Sequence, residues 1–183
     1  MKKDYEQIIS SYTGGDLDLS GCTIKNLELG NIEGSLNLSK CVIEKLSIGW
    51  VSRELNLAGA EIKTFVSPID ADSVNMMGTK VKKLPAHIYT GSLTMEKSNV
   101  EKLNTDIRTN VFNIVGTKIE QLPKNFHVQT LIVDSKVAKN LPLTSMRQCE
   151  ELIIDGFRYF GQGSIENFNF CSVTEEVREC ACV

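Results

Sequence analysis

Val74-Asn-Met-Met-Gly-Thr-Lys-Val-Lys-Lys-Leu-Pro85 and Phe112-Asn-Ile-Val-Gly-Thr-Lys-Ile-Glu-Gln-Leu-Pro123 are two copies of one pattern, set two periods of nineteen residues apart. Working outward, a pair of apolar residues with one residue between them recurs at Leu17/Leu19, Leu36/Leu38, Leu55/Leu57, Val74/Met76, Leu93/Met95, Phe112/Ile114 and Leu131/Val133. A stretched step of twenty-one then reaches Leu152/Ile154. Seven residues after the first member of each pair stand Ile24, Ile43, Ile62, Val81, Val100, Ile119 and a weaker Ala138. Ten residues after it stand Leu27, Leu46, Phe65, Leu84, Leu103, Leu122 and Leu141. All thirty positions are apolar in a chain that is 42% hydrophobic, so the period is a property of the fold and not of composition.

The alternation within each pair is a period-2 signal: both apolar members point inward from a short strand and the middle residue points out. Glycine follows at Gly21, Gly59, Gly78 and Gly116, where the chain must turn. Pro85, Pro123 and Pro142 come directly after the third inward contact and deny the next segment a continued ladder. Too few residues remain before the next pair for a full-length helix, so the return side of each coil is expected to be extended or a short 3₁₀ turn. One coil cannot bury its own apolar edge, whereas a stack can. Parallel pairing at the usual strand spacing gives an array about 35–40 Å long.

The two quoted stretches resemble the short leucine-rich repeats of bacterial and phage proteins, with Val or Phe in the leading Leu position. The resemblance covers residues 14–155 and implies a leucine-rich-repeat-like stack of seven to eight coils, with a parallel sheet on one face that binds partners. That family's usual asparagine is replaced here by Cys22, Cys41, Ala60, Thr79, Ser98, Thr117 and Lys136. A parallel β-helix is the alternative β-rich solenoid, favoured locally by Leu27-Glu-Leu29 and Leu46-Ser-Ile48, which alternate like second strands. Residues 1–13 read as an N-terminal cap, a short amphipathic helix through Tyr5, Ile8, Ile9 and Tyr12. Residues 156–183 read as a C-terminal cap and tail, in which Phe157, Tyr159, Phe160, Phe168 and Phe170 are expected to plug the open end.

Net charge is −3 and the pI about 5.5, which disfavours a strongly basic nucleic-acid surface. No apolar run is long enough for a membrane span, and the two lysines at the start precede no apolar stretch, so a cytoplasmic protein is expected. Of six cysteines, Cys22 and Cys41 share one position in neighbouring repeats and read as small buried side chains. No spacing matches a zinc site, and no phosphate loop, nucleophile elbow or histidine pair is present. Cys149 or Cys171 with His127 is an imaginable nucleophile and base, but nothing in the sequence brings them together. No enzyme and no cofactor are expected.

The outward middle position reads Asp18, Asn37, Asn56, Asn75, Thr94, Asn113, Ile132, Ile153. Its asparagines are expected to stack as an amide ladder from rung to rung, stiffening the sheet or facing a partner. In the second half, Met77, Val111, Val115, Ile132 and Ile153 face outward and are rimmed by Glu96, Asp134, Glu151 and Asp155, the look of a protein-binding patch or of a surface over which the C-terminal segment folds back. The partner-binding candidates are Asn37, Asn56, Asn75, Met77, Asn113, Val115, Ile132 and Ile153. The mixed charges on the return side, with Lys80, Lys82 and Lys83, read as a solvated face. The tail Cys180-Ala-Cys-Val183 has the C-a-a-X frame of prenylation, which makes Cys180 a lipidation candidate and is the only route to a membrane. The expected function is a protein-interaction module with an unidentified protein partner. It is read as a phage or mobile-element protein that blocks a host factor. The alternatives are a delivered effector lipidated at Cys180 and an enzyme in the C-terminal segment.

Overall fold

A computed structural model describes residues 4–81, 83–122, 126–141 and 149–160. The chain forms a parallel β-solenoid of about seven turns. Helix α1 (Tyr5–Ser10) comes first. It is followed by β1 (Leu17–Asp18), β2 (Thr23–Leu29), β3 (Leu36–Asn37), β4 (Val42–Ile48), β5 (Val51–Asn56), β6 (Glu61–Phe65), β7 (Ile69–Asn75) and β8 (Lys80–Val81). Then come β9 (His87–Thr94), β10 (Asp106–Asn113), β11 (Phe126–Val133), α2 (Ser135–Asn140), β12 (Glu151–Ile154) and β13 (Phe157–Phe160). The main sheet runs β1-β3-β5-β7-β9-β10-β11-β12-β13, parallel throughout except for the last pair. A second parallel sheet runs β2-β4-β6-β8. It contains the Leu27/Leu29 and Leu46/Ile48 alternations, so the β-helix features of the sequence are real and persist for two coils more.

The inward positions stack in register: Leu17 beside Leu36, Leu36 beside Leu55, Leu55 beside Val74, and on through Leu93, Phe112, Leu131 and Leu152. Of the thirty positions of the repeat, all are buried except Phe65, which is half-buried against the core. Cys22 and Cys41 lie in this interior at 3% and 0% exposure, and the Cys41 Sγ–H donates to the Leu19 carbonyl at 3.0 Å. Tyr5, Ile8 and Ile9 of α1, whose N-cap Asp4 accepts from the Gln7 amide, pack against the core together with Tyr12 just beyond the helix. No helix among the described residues is long and apolar enough to cross a membrane.

Between the main strand and the return side, the first six coils make the same tight turn. The amide of Cys22, Cys41, Ala60, Thr79, Ser98 or Thr117 donates to the carbonyl three residues back. The third residue of the turn has positive φ, filled by Gly21, Gly59, Gly78 and Gly116 but by Lys40 (57°) and Lys97 (55°) in two coils. Thr79 and Thr117 add a hydroxyl bond to the same carbonyl at 2.8 Å, which replaces the absent asparagine of the leucine-rich pattern with a purely local bond.

The second sheet stops at β8, although Val100, Leu103, Ile119 and Leu122 stay buried in the columns it began. Asn99 explains the stop: its Oδ1 accepts from the Val81 amide at 2.9 Å, taking the donor that a fifth strand would need. The seventh coil departs further. An extended return or a short 3₁₀ turn was expected there, but Ser135–Asn140 is α-helical, with Val137 and Ala138 buried. The local sequence lacks the turn glycine and supplies Asp134, whose Oδ1 caps the helix by accepting from Val137 N at 2.7 Å. This helix falls within the step of twenty-one residues.

Of the five aromatics expected to plug the open end, only Phe157 and Tyr159 have described side chains. Asp155 and Gly156 both have positive φ (51° and 85°), and they turn β13 back antiparallel to β12. Asp-Gly between strand-forming residues is the usual sequence for such a two-residue hairpin. Tyr159 packs on the core, whereas Phe157 is 61% exposed. Phe168 and Phe170 lie outside the described residues.

Lysine in the left-handed region costs about 1–2 kcal/mol, against about 0.5–1 kcal/mol for the extra chain freedom of glycine. Lys40→Gly and Lys97→Gly are therefore expected to raise the melting temperature by up to about 2–4 °C each. Gly116→Ala should lower it, because its new Cβ would lie 3.1 Å from Lys97 Cγ at a φ of 69°. Thermal melts followed by circular dichroism check all three.

Candidate functional site

The outward face of the main sheet is built column by column. In the middle column, the asparagines do not form the expected ladder. Asn37, Asn56, Asn75 and Asn113 each turn Oδ1 back to accept from the amide two residues on, at 3.0–3.1 Å, and Asp18 does the same at 2.8 Å. These are Asx turns that lead the strand into the positive-φ turn just described, and they leave the four asparagines half-buried. Their amide oxygens thus hold the coil together locally and are not presented to a partner. A short polar residue three positions before a turn glycine was the signal available in the sequence.

The last two coils lose this duty. Their turns are made by the Asp134 cap and the Asp155-Gly156 hairpin, and the column carries isoleucine. Ile132 lies beside Asn113 on one side and Ile153 on the other, and Ile153 faces Arg158 across the hairpin. Both isoleucines are half-buried, as are Val111 and Val115 on the flanking positions. Met77 is 43% exposed but sits two coils from Val115, with Glu96 between them. The structure therefore brings Val111, Val115, Ile132 and Ile153 together and leaves Met77 apart.

The acidic rim is largely committed to the fold. Asp134 Oδ2 accepts from Gly116 N at 2.5 Å, Asp155 Oδ1 from Ser135 N at 3.1 Å, and Glu151 Oε2 from Thr130 Oγ1 at 2.9 Å. Arg158 lies 3.4 Å from the other Glu151 oxygen, and Glu96 pairs with Lys97 at 2.9 Å. The patch is thus apolar at its centre and bordered by Glu96 and Glu151, each beside a cation, and by Asp134 and Asp155, each bound to backbone amides.

On the second sheet's side the charges pair between coils, Glu44 with Lys63 and Glu61 with Lys80, at 2.6 and 2.5 Å. Lys63 holds the Glu44 carboxyl below its usual range. Lys82, of the small basic cluster, lies outside the described residues, as do Cys171 and Cys180. Cys149 is buried at 6% exposure, and burial pushes its thiol up to about 11, which makes it a poor nucleophile. No group of three His, Cys, Asp or Glu side chains among the described residues is placed to hold a metal.

Sequence reasoning missed a second outward column, around the corner of the same sheet. Asp70 pairs with Tyr89 and Tyr89 with Arg108. Trp50 precedes Val51, the partner of Ala71, and so stands beside Asp70. The step there is twenty residues, because Ser52 and Arg53 bulge out of register, which hides the column from a count of nineteen. The corner itself is held by Thr109, whose hydroxyl faces the Gly91 and Val111 carbonyls at 3.2 and 2.9 Å.

This architecture defines a β-solenoid repeat protein, and not specifically a leucine-rich repeat protein. Residues 1–110 match the Toastrack DUF4097 family, so the chain belongs to that family. No curated protein and no solved structure matches it.

Two measurements follow. Asn56→Ala, which removes one turn acceptor, should cost about 1 kcal/mol in chemical denaturation, while Asn56→Asp keeps the acceptor and most of the stability. For Cys149, the folded-state value lies above the ordinary thiol value of 9.0, so above pH 9 the unfolded chain releases a proton that the fold retains. Its contribution is present in full below pH 9 and is lost as pH rises towards 11. Denaturation midpoints measured over that range should fall for the wild type and fall less for Cys149→Ala.

Proposed function

We propose that this chain is a non-enzymatic interaction module that binds a protein partner through the C-terminal half of its main sheet. The supporting observation is the middle column itself. Where asparagine is needed to build the turn, the chain uses asparagine; where other residues build it, Ile132 and Ile153 occupy outward positions side by side. Adjacent branched side chains on an open sheet face, with Val111 and Val115 beside them, give an apolar centre of the kind that protein interfaces bury. The turn-making asparagines Asn37, Asn56, Asn75 and Asn113 contribute shape to that face more than recognition.

The leucine-rich pattern of the inner positions belongs to the same reading, since short repeats of that kind display a strand face to partners. A cytoplasmic protein of phage or mobile-element origin, occupying a host factor, is the biological setting we propose.

The test is a pull-down from the source cell with wild type and an Ile132→Asp/Ile153→Asp double variant, matched for thermal melting. Recovery of the specific partner should fall by about tenfold or more, the effect of losing about 1.4 kcal/mol. Undiminished recovery would remove the patch from the interface.

A further inference from the structure

The column missed by the repeat count lines a groove at the corner of the main sheet. Its walls include Trp50, Ser52, Asp70, Asp72, Tyr89 and Gly91, around a space of about 460 Å³. Gly91 forms the hollow: a Cβ there would lie 2.9 Å from the Asp72 carbonyl oxygen. Asp70 stands in the column between the two aromatic residues, one strand spacing of about 4.8 Å from each. Trp50 is 43% exposed, and among the described residues Asp70 and Asp72 are the only charged side chains lining the groove. Both carboxylates are exposed, and among the described residues neither has an ion-pair partner.

The next coil shows what this combination holds. The Arg108 guanidinium lies 5.6 Å from the centre of the Tyr89 ring and 3.8 Å from Asp106, an aromatic face and a carboxylate sharing one cation. His87, stacked on Tyr89 with centroids 5.8 Å apart, braces the ring from its own strand. One coil back, the Trp50 indole and two carboxylates stand together, and among the described residues none of the three has a cation. Two negative charges beside an indole make a neutral or anionic occupant the poorer match, and a cation the better one.

We infer that this groove receives an arginine side chain from a basic peptide segment, with Asp70 and Asp72 taking the guanidinium N–H groups and Trp50 covering its face. The site lies around the corner from the isoleucine patch and does not rest on it. Trp50 is the only tryptophan in the chain, so its fluorescence reports on the groove directly.

The test titrates the full-length protein with an acetylated tetra-arginine amide and with its neutral citrulline counterpart, following Trp50 emission. The arginine peptide should bind at least about tenfold more tightly than the citrulline one and weaken as salt rises from about 0.01 M to about 1 M. Asp70→Asn/Asp72→Asn, matched to wild type by thermal melting, should bind the arginine peptide at least about tenfold more weakly. Equal affinity for the two peptides, no response to the arginine peptide, or undiminished binding by the double variant overturns the inference. A neutral oligosaccharide that shifts Trp50 emission where tetra-arginine does not would make the groove a sugar platform instead.

Discussion

Everything in this molecule depends on like meeting like along the solenoid axis. An inward leucine in one coil is packed above and below by the residue one period away, so each column of the core is continuous and no coil is complete alone. The constraint is geometric as much as apolar. Strand spacing is fixed by backbone hydrogen bonding, so a column tolerates Leu, Ile, Val, Met or Phe but not a change of phase. Where the sequence does slip, the slip is absorbed off the core. The twenty-residue step from Val51 to Ala71 becomes a bulge, and the step of twenty-one coincides with α2, a helix that still buries Val137 and Ala138.

That economy explains what the sequence discloses and what it hides. The buried columns were legible because a strict period and burial select the same residues, and only Phe65 escapes full burial. The second sheet was visible where Leu27/Leu29 and Leu46/Ile48 alternate. It was invisible at its end, since Val100 and Leu103 keep the pattern while Asn99 removes the pairing. The asparagine column misled: equal spacing suggested rung-to-rung contacts, but an Asx oxygen two residues from an amide satisfies itself first. The Asp155-Gly156 hairpin was present in plain local chemistry, an Asp-Gly pair between strand-forming residues. Trp50 and Tyr89 share a column only after the bulge is counted, which no fixed period can reveal.

The candidate surfaces arise from the same division of labour. Outward positions in the first coils are spent on turns, while those in the last coils are released by a helix cap and a hairpin. Variation therefore collects where the repeat is least regular, at the end of the sheet and around the bulge. A solenoid can change its surface at these places without disturbing the columns, since the side chains concerned point away from them.

The early end of the second sheet has a mechanical consequence. Through its first four coils the solenoid is braced by hydrogen bonds along two sides, and beyond β8 the described residues retain that bracing along one side only. A beam stiffened unevenly along its length yields where the support ceases. The rungs that carry Val111 and Ile132 thus sit on the half braced along one side, and the turn-making asparagines of the first coils on the half braced along both.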